Sequence, residues 1–261
     1  MSILKPFFCY YGGKYRAAPH YPKPTHNHII EPFAGAAGYA TRYPDGEVTL
    51  FDSDPKIAGL WRYLIKSSPL DIMALPLIAS GQNVNDLAVC EEAKWLIGFW
   101  LNKGAAQPCN IPSKWMRGGT HPNSYWGEVI RERIASQVGR IKHWKIVNAS
   151  YAYALDIEAT WFVDPPYQLA GKHYKHGASG LDFSALADWC RSRQGQVIVC
   201  ENEGATWLPF TSFKDIKSNP TKGVISKEVI WTGDKKVCQH CIEKFGPDTK
   251  GRCPWAFPGL S

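Results

Sequence analysis

The chain has 261 residues, of which 44% are hydrophobic and 20% charged, with a formal net charge of +7. That length suits one substantial domain or a domain carrying a sizeable insertion, and the composition excludes fibrous, disordered and disulfide-stapled classes. No apolar run approaches the roughly 18 residues a bilayer demands, and the opening MSILKPFFCYYGGK lacks the marks of a signal peptide.

A cytoplasmic protein with no membrane partner is therefore expected. Eight cysteines are scattered at positions 9, 90, 109, 190 and 200, with a tail group at 238, 241 and 253. This suits reduced thiols better than a disulfide framework. The positive balance favours a polyanionic partner.

Residues 26–33, HNHIIEPF, read as a short strand, and 34–41, AGAAGYAT, as a small-residue turn that opens a helix. GEVTLFDSD (46–54) alternates as a second strand, and PKIAGLWRYLIKS follows as a helix with Pro55 in its first turn. Strand, helix, strand, helix predicts an α/β domain with a parallel sheet and crossover helices. From about 66 to 127 the pattern weakens into short segments, and EVIRERIASQVGRIKHW closes that region as a helix. KIVNAS and TWFVDPPY then read as strands, DFSALADWCRSR as a helix, and GQVIVCEN and SKEVIWTG as further strands.

In EPFAGAAG, Gly35 and Gly38 follow a strand, where a missing side chain lets a ligand approach the backbone and a helix N-terminus attracts a carboxylate. The spacing fails the G-x-G-x-x-G dinucleotide fingerprint, and a purely structural turn is the competing reading. Asp52 ends the next strand, where an acid can accept hydrogen bonds from a ribose. The implied ligand contains a nucleoside. Asp54 competes for that role, but capping the following helix across Pro55 is its simpler task.

TWFVDPPY leaves an apolar strand through an acid, two prolines and an aromatic ring. The exocyclic amine of adenine is a poor nucleophile because its lone pair is delocalised into the ring, and two acceptors aimed at its N–H groups would localise that pair. The Asp164 carboxylate supplies one acceptor and the Pro165 carbonyl the other, with Pro166 restraining the backbone. Tyr167 offers a face on which an extruded base could stack.

Taken together, YYGGK (10–14), EPFAGAAG, FDSD, DPPY and SKEVIWTG resemble the ordered motifs of the Dam-like class of DNA adenine-N6 methyltransferases. The resemblance spans residues 10 to 233. It implies a Rossmann-like S-adenosylmethionine-dependent methyltransferase core formed by 1–65 and 143–261, with an inserted, mostly helical DNA-recognition region at 66–142. It further implies that Tyr10, Lys14, Glu31, Phe33 and Gly35 line the cofactor pocket, with Phe33 against the sulfonium, and that Asp52 takes the ribose. Asp164, Pro165 and Tyr167 would hold the target amine and base, and Tyr174 or Tyr151 would pack on the cofactor adenine.

Two departures stand out: Ala37 where the family often has its second glycine, and Tyr10 where many members carry tryptophan. Neither removes a catalytic group. The methyl of S-adenosylmethionine is already activated, so the resemblance implies no catalytic metal.

Double-stranded DNA is the partner this implies, with no obligate protein partner. Residues 110–150 hold seven Lys or Arg (Lys114, Arg117, Arg131, Arg133, Arg140, Lys142, Lys145) against Glu128 and Glu132, a patch suited to phosphates. Arg117 could read a guanine edge and Asn123 an adenine edge; solvated helix charges are the competing reading. Lys172, His173 and Lys175, in the loop after DPPY, would clamp the strand around the extruded base. Cys238, Cys241 and Cys253 read either as part of a structural zinc site or as reduced thiols. Two other functions stay open: methylation of adenine in RNA, and an inactive DNA-binding protein on the same scaffold. A solitary bacterial or phage enzyme is compatible with the chain.

Overall fold

Side chains on a strand alternate between the two faces of a sheet, and in this protein both faces are apolar. Ile29, Leu50, Phe162 and Ile198 enter one buried cluster, while their neighbours Ile30, Phe51, Trp161 and Val197 enter another. The computed structural model describes residues 3–119, 122–169, 180–219 and 224–234. Within them lie seven strands: β1 (His28–Glu31), β2 (Glu47–Asp52), β3 (Lys145–Asn148), β4 (Ala159–Val163), β5 (Gly195–Asn202), β6 (Thr211–Asn219) and β7 (Val224–Asp234).

They form one sheet in the order β3-β2-β1-β4-β5-β7-β6. β1 to β5 run parallel, and β7 is antiparallel to both β5 and β6. The mixed α/β architecture, with a mostly parallel sheet and helices, is compatible with a Rossmann-like core. Among the described residues no helix is long and apolar enough to cross a membrane.

Helix α1 (Pro55–Lys66) follows β2. Asp54 caps it by accepting from the Lys56 N–H at 2.9 Å, and Pro55 stands in its first turn, where a missing N–H costs nothing. Ile57, Leu60, Trp61 and Leu64 repeat at helical spacing and bury one face. Helix α2 (Pro69–Met73) and helix α3 (Glu91–Leu101) come next.

Then follow the single turn α4 (Lys114–Arg117) and helix α5 (Glu128–Val138). α3 and α5 bury Leu96, Phe99, Ile130 and Ile134 in the cluster that also holds Trp61 and Leu50, so 66–142 shares a core with the flanking segments. Helix α6 (Phe183–Ser192) covers the opposite face through Leu186, Ala187 and Cys190.

Two elements differ from the sequence reading. The closing helix ends at Val138 and tightens into a 3-10 turn over Gly139–Ile141, where glycine weakens the helix and Trp144, 3% exposed, turns into the core. After β1 there is no α-helix: turns lead to a 3-10 segment at Ala40–Arg42. Gly35 and Ala37 take left-handed φ values of 44° and 48°, and the Glu31 carboxylate accepts the Ala40 N–H at 2.7 Å. A left-handed residue cannot sit inside an α-helix, and Pro44 stops any recovery.

Candidate functional site

The strand order reverses between β1 and β4, and in open α/β sheets ligands bind outside the carboxyl ends of the strands at such a switch point. A cavity of about 330 Å³ opens there, within the range of small-ligand sites. β1 and the turn after it deliver Glu31, Phe33 and Gly35, β2 delivers Asp52, the turn after β3 delivers Tyr151, and the residue following β4 is Asp164. The N-terminal segment closes it with Tyr10 and Lys14. The cofactor residues expected from the sequence thus line one cavity, apart from Tyr174, which lies outside the described residues.

Asp52 ties the first two strands together at the rim. Its Oδ2 accepts the Gly35 N–H at 3.0 Å and its Oδ1 the Asp54 N–H at 2.9 Å. The Trp61 indole donates to the Gly35 carbonyl at 2.8 Å, fixing the turn from α1. Gly38 also lines the cavity, and it has a second use that the sequence did not suggest. A Cβ there would stand 2.6 Å from the Tyr15 nitrogen, so its missing side chain admits the chain's own Lys14–Tyr15 backbone. The helix N-terminus expected at this turn is absent among the described residues.

Lys14 and Asp164 meet at the inner end of the cavity, with Nζ 2.9 Å from Oδ1 and side-chain exposures of 6% and 18%. The same ammonium donates to the Gly12 carbonyl at 2.9 Å and lies 3.9 Å from Glu228 Oε1. It also covers one face of Tyr167, 4.7 Å from the ring centroid. Pro165 is buried, and Pro166 rather than Pro165 or Tyr167 appears among the described lining residues. The chain leaving the motif is pinned by Glu201 on β5, which accepts the Gln168 N–H and the Trp207 indole N–H, both at 3.0 Å.

The described lining is acidic. Glu31, Asp52, Asp54 and Asp164 face it against Lys14 as the one Lys or Arg. Burial pushes Glu31 up to about 8, against hydrogen bonds from the Ala40 and Tyr39 backbone that favour its anion. Burial also pushes Asp52 up to about 6, opposed by the Asp54 and Gly35 N–H groups. Asp164 rises to about 6 by burial, with Lys14 pulling it down and Glu228 pushing it up. Such a pocket disfavours polyphosphates and favours a ligand that carries positive charge.

The aromatic wall is built outward from Phe33. Its ring stacks on Tyr151 with centroids 5.3 Å apart, and Tyr151 meets Trp189 edge-on at 5.2 Å. Arg193 lies over Trp189 at 4.6 Å and steadies that side of the cavity.

The expected DNA residues lie elsewhere on the chain. Lys114, Arg117 and Asn123 are exposed; Lys114 lies over the Trp115 ring at 5.0 Å and Arg117 donates to the Pro112 carbonyl at 2.7 Å. Part of the basic stretch is committed to the fold: Arg131 donates to the Leu75 carbonyl, Arg133 to Pro6, and Lys142 to Ile65 and Ser67, while Arg140 pairs with Asp45 at 2.8 Å. A phosphate patch drawn from all seven cations is therefore too generous, because those four side chains hold chain segments together.

Lys172, His173 and Lys175 lie outside the described residues, as do Cys238, Cys241 and Cys253. Among the described residues no cluster of His, Cys, Asp or Glu could hold a metal ion.

Tyr21, Glu201 and Glu228 were not singled out from the sequence. The only signal was an acid inside an apolar strand pattern, in GQVIVCEN and SKEVIWTG.

No protein-family model matches the chain, and no curated protein matches it.

Proposed function

We propose that this protein is a site-specific DNA methyltransferase that transfers a methyl group from S-adenosylmethionine to N6 of a flipped-out adenine. The observation that carries the reading is the convergence of YYGGK, EPFAGAAG, FDSD and DPPY, far apart in sequence, on one acidic cavity at the switch point of the sheet.

The residues present fit the cofactor. A sulfonium and an α-ammonium are cationic, and the buried Glu31 and half-buried Asp164 offer carboxyl groups that a cationic ligand would hold as carboxylates. Asp52 stands at the end of β2, where a ribose would be held, and the stacked Phe33 and Tyr151 offer an apolar wall. When bound, S-adenosylmethionine supplies an activated methyl on sulfur. The chain's own residues then orient the amine. Lys14 occupies Oδ1 of Asp164, and the second carboxylate oxygen accepts an amine N–H and later its proton. The Pro165 carbonyl is assigned the other N–H, and the buried setting strengthens both contacts.

The exposed Lys114, Arg117 and Asn123 serve as DNA contacts, and the described residues around the cavity carry the chemistry. The enzyme acts on duplex DNA in the cytoplasm without a catalytic metal. Incubation with labelled S-adenosylmethionine and duplex DNA, followed by nucleoside analysis, tests the proposal: N6-methyldeoxyadenosine is expected, and a parallel RNA substrate is expected to stay unlabelled.

A further inference from the structure

Lys14 has more partners than the proposed methyl transfer requires. Besides Asp164 at 2.9 Å and the Gly12 carbonyl at 2.9 Å, it faces Glu228 Oε1 at 3.9 Å. Glu228 comes from β7 and is 7% exposed; its Oε2 accepts a hydrogen bond from the Tyr21 hydroxyl. The Tyr21 ring cannot swing freely, since it is stacked on Phe213 at 4.7 Å and meets Phe162 edge-on at 5.1 Å. A buried carboxylate held this firmly is costly to the fold. Nothing in the amine-orienting chemistry gives it a task.

We propose that Glu228 and Tyr21 are positioning residues that divide Lys14 between two carboxylates, so that the ammonium takes Oδ1 of Asp164 and leaves Oδ2 for the substrate amine. This deepens the methyltransferase reading and rests on it for the identity of the amine. The arrangement itself rests on geometry. A lysine ammonium has three N–H bonds; the Asp164 oxygen and the Gly12 carbonyl accept from it at 2.9 Å, and Glu228 stands at ion-pair distance, 3.9 Å.

Take Glu228 away, and one of the two carboxylates that face Lys14 among the described residues is gone, leaving Asp164 at 2.9 Å. The pair then closes, and the carboxylate is shielded from the amine it must bind. With Glu228 in place the lysine charge is shared, and Asp164 keeps its strength as an acceptor. Among the described residues, the other titratable groups that act on or are acted on by Asp164 are Glu31 from β1, Cys200 and Glu201 from β5, Tyr21, and Tyr167 on its own loop. None of these is a cation, so Lys14 is the cation among the described residues that stands between Asp164 and Glu228.

The test follows Asp164 directly, by carbon-13 NMR of labelled aspartate in the ligand-free protein, with Asp164→Asn assigning the signal. The pH profile of kcat/KM for methyl transfer to duplex DNA is measured alongside. In Glu228→Gln the Asp164 titration is expected to move down by roughly one pH unit, because a like charge has been removed. The acidic limb of the rate profile should move with it. kcat is expected to fall about tenfold, as misalignment at the amine dictates, with S-adenosylmethionine affinity unchanged.

Should the glutamine variant fail to fold, Glu228→Asp withdraws the charge by one methylene and is expected to act in the same direction, more weakly. Tyr21→Phe keeps the ring stack, frees Glu228 to rotate, and should lower kcat with cofactor affinity unchanged. An Asp164 titration and acidic limb that do not respond to Glu228→Gln overturn the positioning role. An Asp164 titration that moves down in a protein that methylates nothing supports the carboxylate arrangement and overturns the substrate reading instead.

Discussion

Lys14 and Asp164 form an ion pair of 2.9 Å at the inner end of the cavity, joining the N-terminal segment to the carboxyl end of β4. The pair sets the charge of the candidate site, because the lysine is the one Lys or Arg among the described lining residues and four carboxylates share that space.

Replacing Lys14 with methionine keeps the buried stem and removes the charge. Asp164 should then titrate higher, since Lys14 is the strongest of the groups that pull it down. Breaking a buried pair from one side is expected to cost about 3 kcal/mol, read as a fall in the denaturant midpoint.

The acids of the cavity set a pH dependence of their own. Glu31, at about 8, and Asp52 and Asp164, at about 6, all lie above the unfolded range near 4. The folded state therefore binds their protons more tightly. Their contribution to stability is fully present below the unfolded values and is lost as pH rises through about 6 and then about 8. The ligand-free protein should accordingly melt at a higher temperature at pH 6 than at pH 8.5, in scans at matched ionic strength.

A cationic ligand should reverse that preference by ionising the same carboxyls. Binding of S-adenosylmethionine is expected to release protons near pH 7, measured by calorimetry in buffers of different ionisation heat. S-adenosylhomocysteine, whose sulfur is uncharged, should release fewer.

Gly38 is expected to be as sensitive as any charged residue. Alanine there would place Cβ 2.6 Å from the Tyr15 nitrogen, and backbone cannot yield as a flexible side chain does. Gly38→Ala should lower stability by about 2 kcal/mol or more and weaken cofactor binding, because the 10–16 segment that closes the cavity must move.

The basic residues should separate into two groups. Lys114→Ala is expected to weaken DNA binding and to reduce the slope of log affinity against log salt by about 0.9. Arg133→Ala should instead lower stability, since its guanidinium lies 4.9 Å over the Trp100 ring and donates to the Pro6 carbonyl.

Much of the fold was legible because periodicity and caps are local. The α1 reading from Pro55 follows from proline and an acidic cap, and β5 reads directly from GQVIVCEN. α3 is not legible in the sequence because EEAKWLIGFWL is apolar nearly all round and shows no clear stripe. β6 is equally hard to read because TSFKDIKSN, at the sheet edge, carries charges through an edge-strand pattern. The helix expected after β1 failed for a tertiary reason: Glu31 takes the Ala40 N–H, and the neighbouring Lys14–Tyr15 backbone occupies the space beside Gly38.

In the candidate site, residues tied to short motifs were found and those tied to distant partners were not. Glu228 acquires meaning only beside Lys14 and Tyr21, which the chain brings together across the sheet.

The most direct measurement is nucleoside analysis of duplex DNA incubated with labelled S-adenosylmethionine and either the protein or its Asp164→Ala variant. N6-methyldeoxyadenosine with the protein, and its loss by a factor of at least about 100 in the variant while cofactor binding persists, is the expected result. Label incorporated equally by both proteins, or no methylated adenine despite measurable cofactor binding, would contradict it.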